Sequence, residues 1–143
     1  MTLKELYSAA VKDTNSGQYD EAIRRLELIL TYDISQKDKA DIYSLLGGVY
    51  LIVGNNEKGV QRLGDALAIA PNNAAGWSNL SEGWRRLGRL DDAIATARRA
   101  ITLKPDFAEA HINMGVALQV QGKLDEAVIS YRQALTLKPD NAD

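Results

Sequence analysis

The chain has 143 residues, 45% of them hydrophobic and 25% charged, with a formal net charge of −2 and no cysteine. That balance suits one globular domain and gives no global steering towards nucleic acid or an anionic membrane. It also excludes disulfides, thiolate metal sites and cysteine nucleophiles. The longest apolar run, Leu45 to Val53, is far short of the roughly 20 residues of a membrane span. The segment Met1-Thr2-Leu3-Lys4-Glu5-Leu6 has no apolar core of a signal peptide, so no membrane insertion and a cytoplasmic location are expected.

Taken in chain order, apolar and small residues recur at helical spacing around punctuating glycines. The first segment carries Leu6, Ala9, Ala10, Gly17, Tyr19, Ala22, Leu26 and Ile29. The second carries Tyr43, Leu46, Gly47, Tyr50, Gly54, Leu63, Ala66 and Pro71. The third carries Trp77, Leu80, Ser81, Trp84, Gly88, Ala93, Ala97, Ala100 and Pro105. The fourth carries His111, Met114, Gly115, Leu118, Gly122, Ala127, Tyr131, Ala134 and Pro139. Gly54, Gly88 and Gly122 stand 34 residues apart, and so do Pro71, Pro105 and Pro139. A fixed period of that length marks a repeat array whose units pack on their neighbours. Within each unit the glycine stops a first helix. An acidic turn such as Asp125-Glu126 opens a second helix, and proline closes the unit. Gly17 lies 37 residues before Gly54, so about one turn is inserted between units one and two, and unit one has Ile34 where its closing proline would stand.

These residues resemble the tetratricopeptide repeat, whose pattern is an early Trp, Leu-Gly, an aromatic, a Gly at the inter-helix turn, Ala, an aromatic, Ala and a closing Pro. The resemblance implies an all-α, right-handed superhelical solenoid of antiparallel helix pairs. The repeats span approximately 3–36, 40–73, 74–107 and 108–141. The small residues Gly47, Gly115, Ala93 and Ala127 are expected to let helices approach closely. Gly59 stands where Ala93 and Ala127 stand, so Gly59→Ala is expected to stabilise the second repeat.

Little in the chain speaks for chemistry. His111, the single histidine, occupies the slot of Trp77 and Tyr43 and reads as a packing residue. The recurring pairs Asp91-Asp92 and Asp125-Glu126 read as helix-start charges. No metal site, cofactor or catalytic residue is expected, and the pairs Arg85-Arg86 and Arg98-Arg99 are too sparse for a nucleic-acid stripe.

In the family that these repeats resemble, the first helix of each repeat lines the inner, concave face. Carried over, repeat one contributes Lys4, Tyr7, Ser8, Val11 and Asn15, and repeat two contributes Asp41, Ser44, Leu45, Gly48, Leu51 and Ile52. Repeat three contributes Ala75, Ser78, Asn79, Glu82, Arg85 and Arg86. Repeat four contributes Glu109, Ile112, Asn113, Val116, Gln119 and Val120. Apolar residues there suggest a partner. Asn79 and Asn113, 34 apart, can each donate to and accept from a peptide backbone. They are similar to the asparagine ladders of the nucleocytoplasmic O-linked N-acetylglucosamine transferases. The two-cation clamp by which some family members hold a C-terminal carboxylate is missing. Its places hold Tyr7, Val11, Leu45, Ala75 and Asn79 or, shifted by one repeat, Ser44, Gly48, Asn79, Glu109 and Asn113.

The expectation is a non-enzymatic scaffold that binds a protein or an extended peptide. The alternatives are a substrate-recruiting segment of a larger enzyme, such as a glycosyltransferase, and a self-assembly module. The ending Asn141-Ala142-Asp143 reads as a join to a further repeat, which suggests a fragment of a longer array. Tyr131, Ala134 and Leu135 are then expected to form an uncovered face through which copies self-associate.

Overall fold

Gly17, Gly54, Gly88 and Gly122 have φ of 79°, 85°, 79° and 83°, the left-handed region where a Cβ is penalised. At each, the next amide donates to a carbonyl five residues back: Gln18 to Asp13 at 2.7 Å, and Asn55 to Tyr50, Arg89 to Trp84 and Lys123 to Leu118, all at 2.9 Å. That pairing ends a helix by satisfying its last carbonyls and reverses the chain. In this computed structural model residues 1–138 are described. They form eight α-helices: α1 (Leu3–Asn15), α2 (Tyr19–Ile29), α3 (Gln36–Ile52), α4 (Asn56–Ile69), α5 (Ala74–Arg86), α6 (Leu90–Leu103), α7 (Ala108–Val120) and α8 (Leu124–Leu137). The all-α reading holds. The expected closing role of Pro139 and the join at Asn141-Ala142-Asp143 lie outside the described residues.

The inserted turn falls at the start of the second repeat. Helix α3 has 17 residues where α5 and α7 have 13. It begins at Gln36, four residues ahead of the expected boundary at Ala40, and Ser35 caps it by accepting from the Asp38 amide. The capped turn is a clean helix start.

The chain divides into two compact units, Met1–Pro71 and Asn72 onward. In the first, Ala10, Leu26, Ile29, Ile42, Leu46 and Tyr50 form a buried cluster joined by Leu3, Tyr7, Ile34 and Leu45. In the second, Ala93, Ile94, Ala117, Leu118 and Ala127 are packed with Trp84, Met114 and Tyr131. The expected close approaches are present. A Cβ on Gly47 would lie 2.7 Å from Leu63 Cγ, and one on Gly115 would lie 2.7 Å from Tyr131 Cε1.

The expectation for Gly59 is reversed. A Cβ there would lie 2.6 Å from Leu51 Cδ2 and 3.2 Å from the Gly47 carbonyl oxygen. The Leu51 side chain fills the space that a methyl group on residue 59 would need, and glycine makes room for it. Gly64, on the same helix, meets nothing within 4 Å. Gly64→Ala is therefore expected to stabilise by about 0.5–1 kcal/mol through helix propensity. Gly59→Ala is expected to destabilise by about 1–3 kcal/mol through overpacking. Urea midpoints of the two variants check this, and a higher midpoint for Gly59→Ala would contradict it.

Candidate functional site

Each unit is taken separately, because its first helices carry their own candidate surface. In the second unit, α5 and α7 lie side by side, joined by the Asn113 amide. Its Nδ2 donates to the Ser78 carbonyl at 3.0 Å and to Ser78 Oγ at 2.9 Å. Ser78 is buried, so it serves this bond and not a ligand. The Asn113 amide nitrogen is likewise committed, which leaves its carbonyl oxygen to accept. Asn79, by contrast, is exposed.

The α5 side of this face is ionic. Glu82 accepts from Arg86 at 3.0 Å, with the Arg85 guanidinium at 3.8 Å. The α7 side is apolar: Ile112 and Val120 are exposed, Val120 at 63%, with Val116 half-buried between them and Gln119 exposed beside them. Gln119 is held from behind, where it accepts from the Tyr131 hydroxyl at 2.8 Å. Burial raises the Tyr131 hydroxyl pKa, and the Arg85 charge works against that shift. The contrast between the two sides is one of residue type at matched positions: Glu82 and Arg86 on α5 occupy the slots of Val116 and Val120 on α7.

In the first unit, Tyr7, Val11, Ser44, Leu45 and Gly48 are half-buried and Ile52 is exposed. One expected ligand-facing residue does not belong there. Leu51 is only 4% exposed and its side chain is lodged over Gly59, because the start of α4 closes over that side of α3. A cavity of about 340 Å³ opens between α1 and the start of α3. Leu3, Ile29, Ile34 and Ile42 form its apolar walls, and Lys4, Tyr7, Asp38 and Asp41 supply polar groups. Burial raises the Tyr7 hydroxyl pKa, and the Asp41 carboxylate adds to the shift. Lys4, Tyr7 and Asp41 stood in the sequence-level groove, whereas the four apolar walls and Asp38 did not. Of these only Ile34 and Asp38 lie near the turn that the long Gly17–Gly54 interval signalled.

His111 is buried, and its Nε2 lies 3.0 Å from the Pro105 carbonyl oxygen. A carbonyl only accepts, so Nε2 carries the proton, and the ring holds the α6–α7 turn. Among the described residues no group of three or more His, Cys, Asp or Glu side chains could hold a metal, and no helix is long and apolar enough to cross a membrane.

The self-association face needs correction. Tyr131 is packed over Gly115 and bonded to Gln119, and Ala134 is buried. Both face their own unit. Of the three expected residues only Leu135 is exposed, and the apolar residues that accompany it on α8 are Leu124, Val128 and Ile129.

A tetratricopeptide repeat family model matches residues 50–106 and 85–142, together well over half of the chain. The chain belongs to the tetratricopeptide repeat family. No curated protein matches its sequence. Among solved structures, MamA superposes with a TM-score of 0.88 at 24% identity, covering 99% of this chain and 81% of that one. YrrB, described as a tetratricopeptide repeat protein with an unusual peptide-binding site, gives 0.87 at 20% identity, covering 97% of this chain and 70% of that one. The first repeat domain of Spaghetti (RPAP3), bound to the HSP90 peptide SRMEEVD, gives 0.69 at 24% identity, covering 71% and 81%. At these identities the likeness establishes the shared tetratricopeptide fold.

Proposed function

We propose that this tetratricopeptide repeat chain is a non-enzymatic scaffold that binds a protein or an extended peptide. The observation that carries the reading is the exposed row Ile112, Gln119 and Val120 on α7, beside the polar row Asn79, Glu82 and Arg86 on α5. An apolar strip flanked by fixed hydrogen-bonding and charged groups suits a chain that buries side chains on one edge and has its backbone held on the other. Peptide binding by YrrB and by the RPAP3 repeat domain supports the same class of partner. The finer expectations of a cytoplasmic location and of no nucleic-acid partner belong to this reading.

Peptides selected on the chain from a random library supply the probe. Ile112→Asp with Val120→Asp is expected to weaken the best binder by at least about 2 kcal/mol in calorimetry, the scale of hot-spot loss. Both residues are exposed, so circular dichroism should stay helical. Unchanged affinity would place the binding elsewhere.

A second reading adds self-association. It is supported by Leu124, Val128, Ile129 and Leu135, four exposed apolar side chains on α8. A second copy could cover them by a two-fold contact. Sedimentation velocity over a wide concentration range should show reversible association. Val128→Lys with Leu135→Lys should weaken it by at least about tenfold, since each buried aliphatic side chain contributes about 1.5–3 kcal/mol. A strict monomer, or an assembly indifferent to both lysines, counts against it.

A further inference from the structure

We propose that the cavity between α1 and α3 is a peptide subsite selective for a bulky apolar side chain adjacent to a lysine or arginine. This deepens the scaffold reading and rests on it. The walls, Ile29, Ile34 and Ile42 with Leu3, are apolar, and Ile29 and Ile42 are buried. A volume of about 340 Å³ sits at the small end of ligand pockets, which run from about 300 to 1,000 Å³. It accommodates one large side chain and the backbone around it.

The rim sets the charge of the occupant. Asp38 and Asp41 stand against a single lysine, Lys4. Among the described residues none of the three makes an ion pair or a side-chain hydrogen bond of its own. Elsewhere in this unit Asp13 pairs with Arg25, Glu21 with Arg24, and Glu27 and Asp65 with Arg62, whereas Asp20, Asp33 and Glu57 make no ion pair among the described residues either but do not line this cavity. Two carboxylates against one lysine leave a net negative charge at the apolar cavity, which attracts a positive group just outside it and repels a negative one. The Tyr7 hydroxyl, in the same wall, can hydrogen-bond the occupant's backbone. The site is also particular to this repeat. Asp38 lies on the turn of α3 that precedes Ala40, and α5 and α7 start at the residues equivalent to Ala40 and have no such turn.

The test uses the whole chain and three end-blocked nine-residue peptides, alike except for a central Phe-Lys, Phe-Glu or Ala-Lys pair. The Phe-Lys peptide should bind saturably and shift the amide resonances of Tyr7, Ile34 and Ile42. The Phe-Glu peptide should bind about tenfold more weakly, the effect of exchanging attraction for repulsion at two partly screened charges. The Ala-Lys peptide should lose binding through the empty apolar cavity. Asp38→Asn with Asp41→Asn should abolish the Phe-Lys over Phe-Glu preference while leaving circular dichroism unchanged. A preference that survives the double variant overturns the proposal, and so does saturable binding whose shifts fall on Ile112, Val116 and Val120 instead. The latter result would leave the scaffold reading standing. Absence of saturable binding by all three peptides overturns the subsite alone, because the Ile112→Asp, Val120→Asp experiment tests the scaffold with a different probe.

Discussion

Leu51→Asp should destabilise the first unit by about 4 kcal/mol. The leucine is 4% exposed, and its Cδ2 and Cγ fill the space above Gly59. The change removes a buried aliphatic side chain, worth about 1.5–3 kcal/mol. It also places a carboxylate among apolar atoms, where an uncompensated polar group costs roughly a further 1–3 kcal/mol. A loss of about 4 kcal/mol is a large share of the stability of a small domain, which is about 5–15 kcal/mol. Ile52→Asp is the control. Ile52 is the next residue along the helix but is 56% exposed, and such a surface change is expected to stay within about 0.5 kcal/mol. Urea denaturation followed by circular dichroism separates the two. A wild-type midpoint for Leu51→Asp would return that residue to the ligand-facing row.

The second large effect is expected at Glu27. Its carboxylate ties together three helices of the first unit: Tyr50 on α3 donates to it at 2.8 Å, and Arg62 on α4 donates to both its oxygens, at 3.1 and 2.9 Å. The same guanidinium lies 5.4 Å from the centre of the Tyr43 ring. Glu27→Ala strands a buried hydroxyl and leaves the partly buried Arg62 with only the Asp65 carboxylate, at 3.6 Å, as its ion-pair partner among the described residues. The pair is about one-third exposed on the carboxylate side, so solvent screening trims the charged contribution. A net loss of about 2 kcal/mol is expected.

The network also has an alkaline signature. Burial, then the hydrogen bond and charge of Glu27, push the Tyr50 hydroxyl up to about 12, with Arg62 opposing. The folded state therefore favours the protonated phenol. Its contribution is fully present below pH 10, the ordinary tyrosine value, and is lost as pH rises from 10 through 12. Wild type should lose stability over that window faster than Tyr50→Phe, which has no phenol to ionise at this position. Parallel melting-temperature profiles for the two proteins would rule this out.

What the sequence determined by itself was the repeating part. The 34-residue spacing of Gly54, Gly88 and Gly122 located the helix reversals, because a positive φ admits glycine far more readily than any other residue. The helical spacing of small and large residues placed Gly47 and Gly115 at close helix contacts. The long Gly17–Gly54 interval announced the extra turn that became the start of α3. These features are local, or repeat with the chain, so a linear reading can find them.

Tertiary structure decided what depends on which atoms fill a given space. Gly59 occupies an alanine slot, yet Leu51 takes the volume that a methyl group would need. Tyr131 and Ala134 sit on a helix whose outward face was expected to hold them, but Gly115 and Gln119 draw Tyr131 inward and leave Leu124, Val128, Ile129 and Leu135 outside. Asn113 matches Asn79 by period, yet its amide is spent on Ser78. The cavity beside Tyr7 arises where the capped extra turn of α3 meets α1 and the end of α2, bringing together residues as far apart as Leu3 and Ile42. Periodicity reports the face on which a residue lies. Whether that residue is covered, crowded or open is set by the volume and hydrogen-bonding needs of its neighbours in space, which repeat less faithfully than the backbone does.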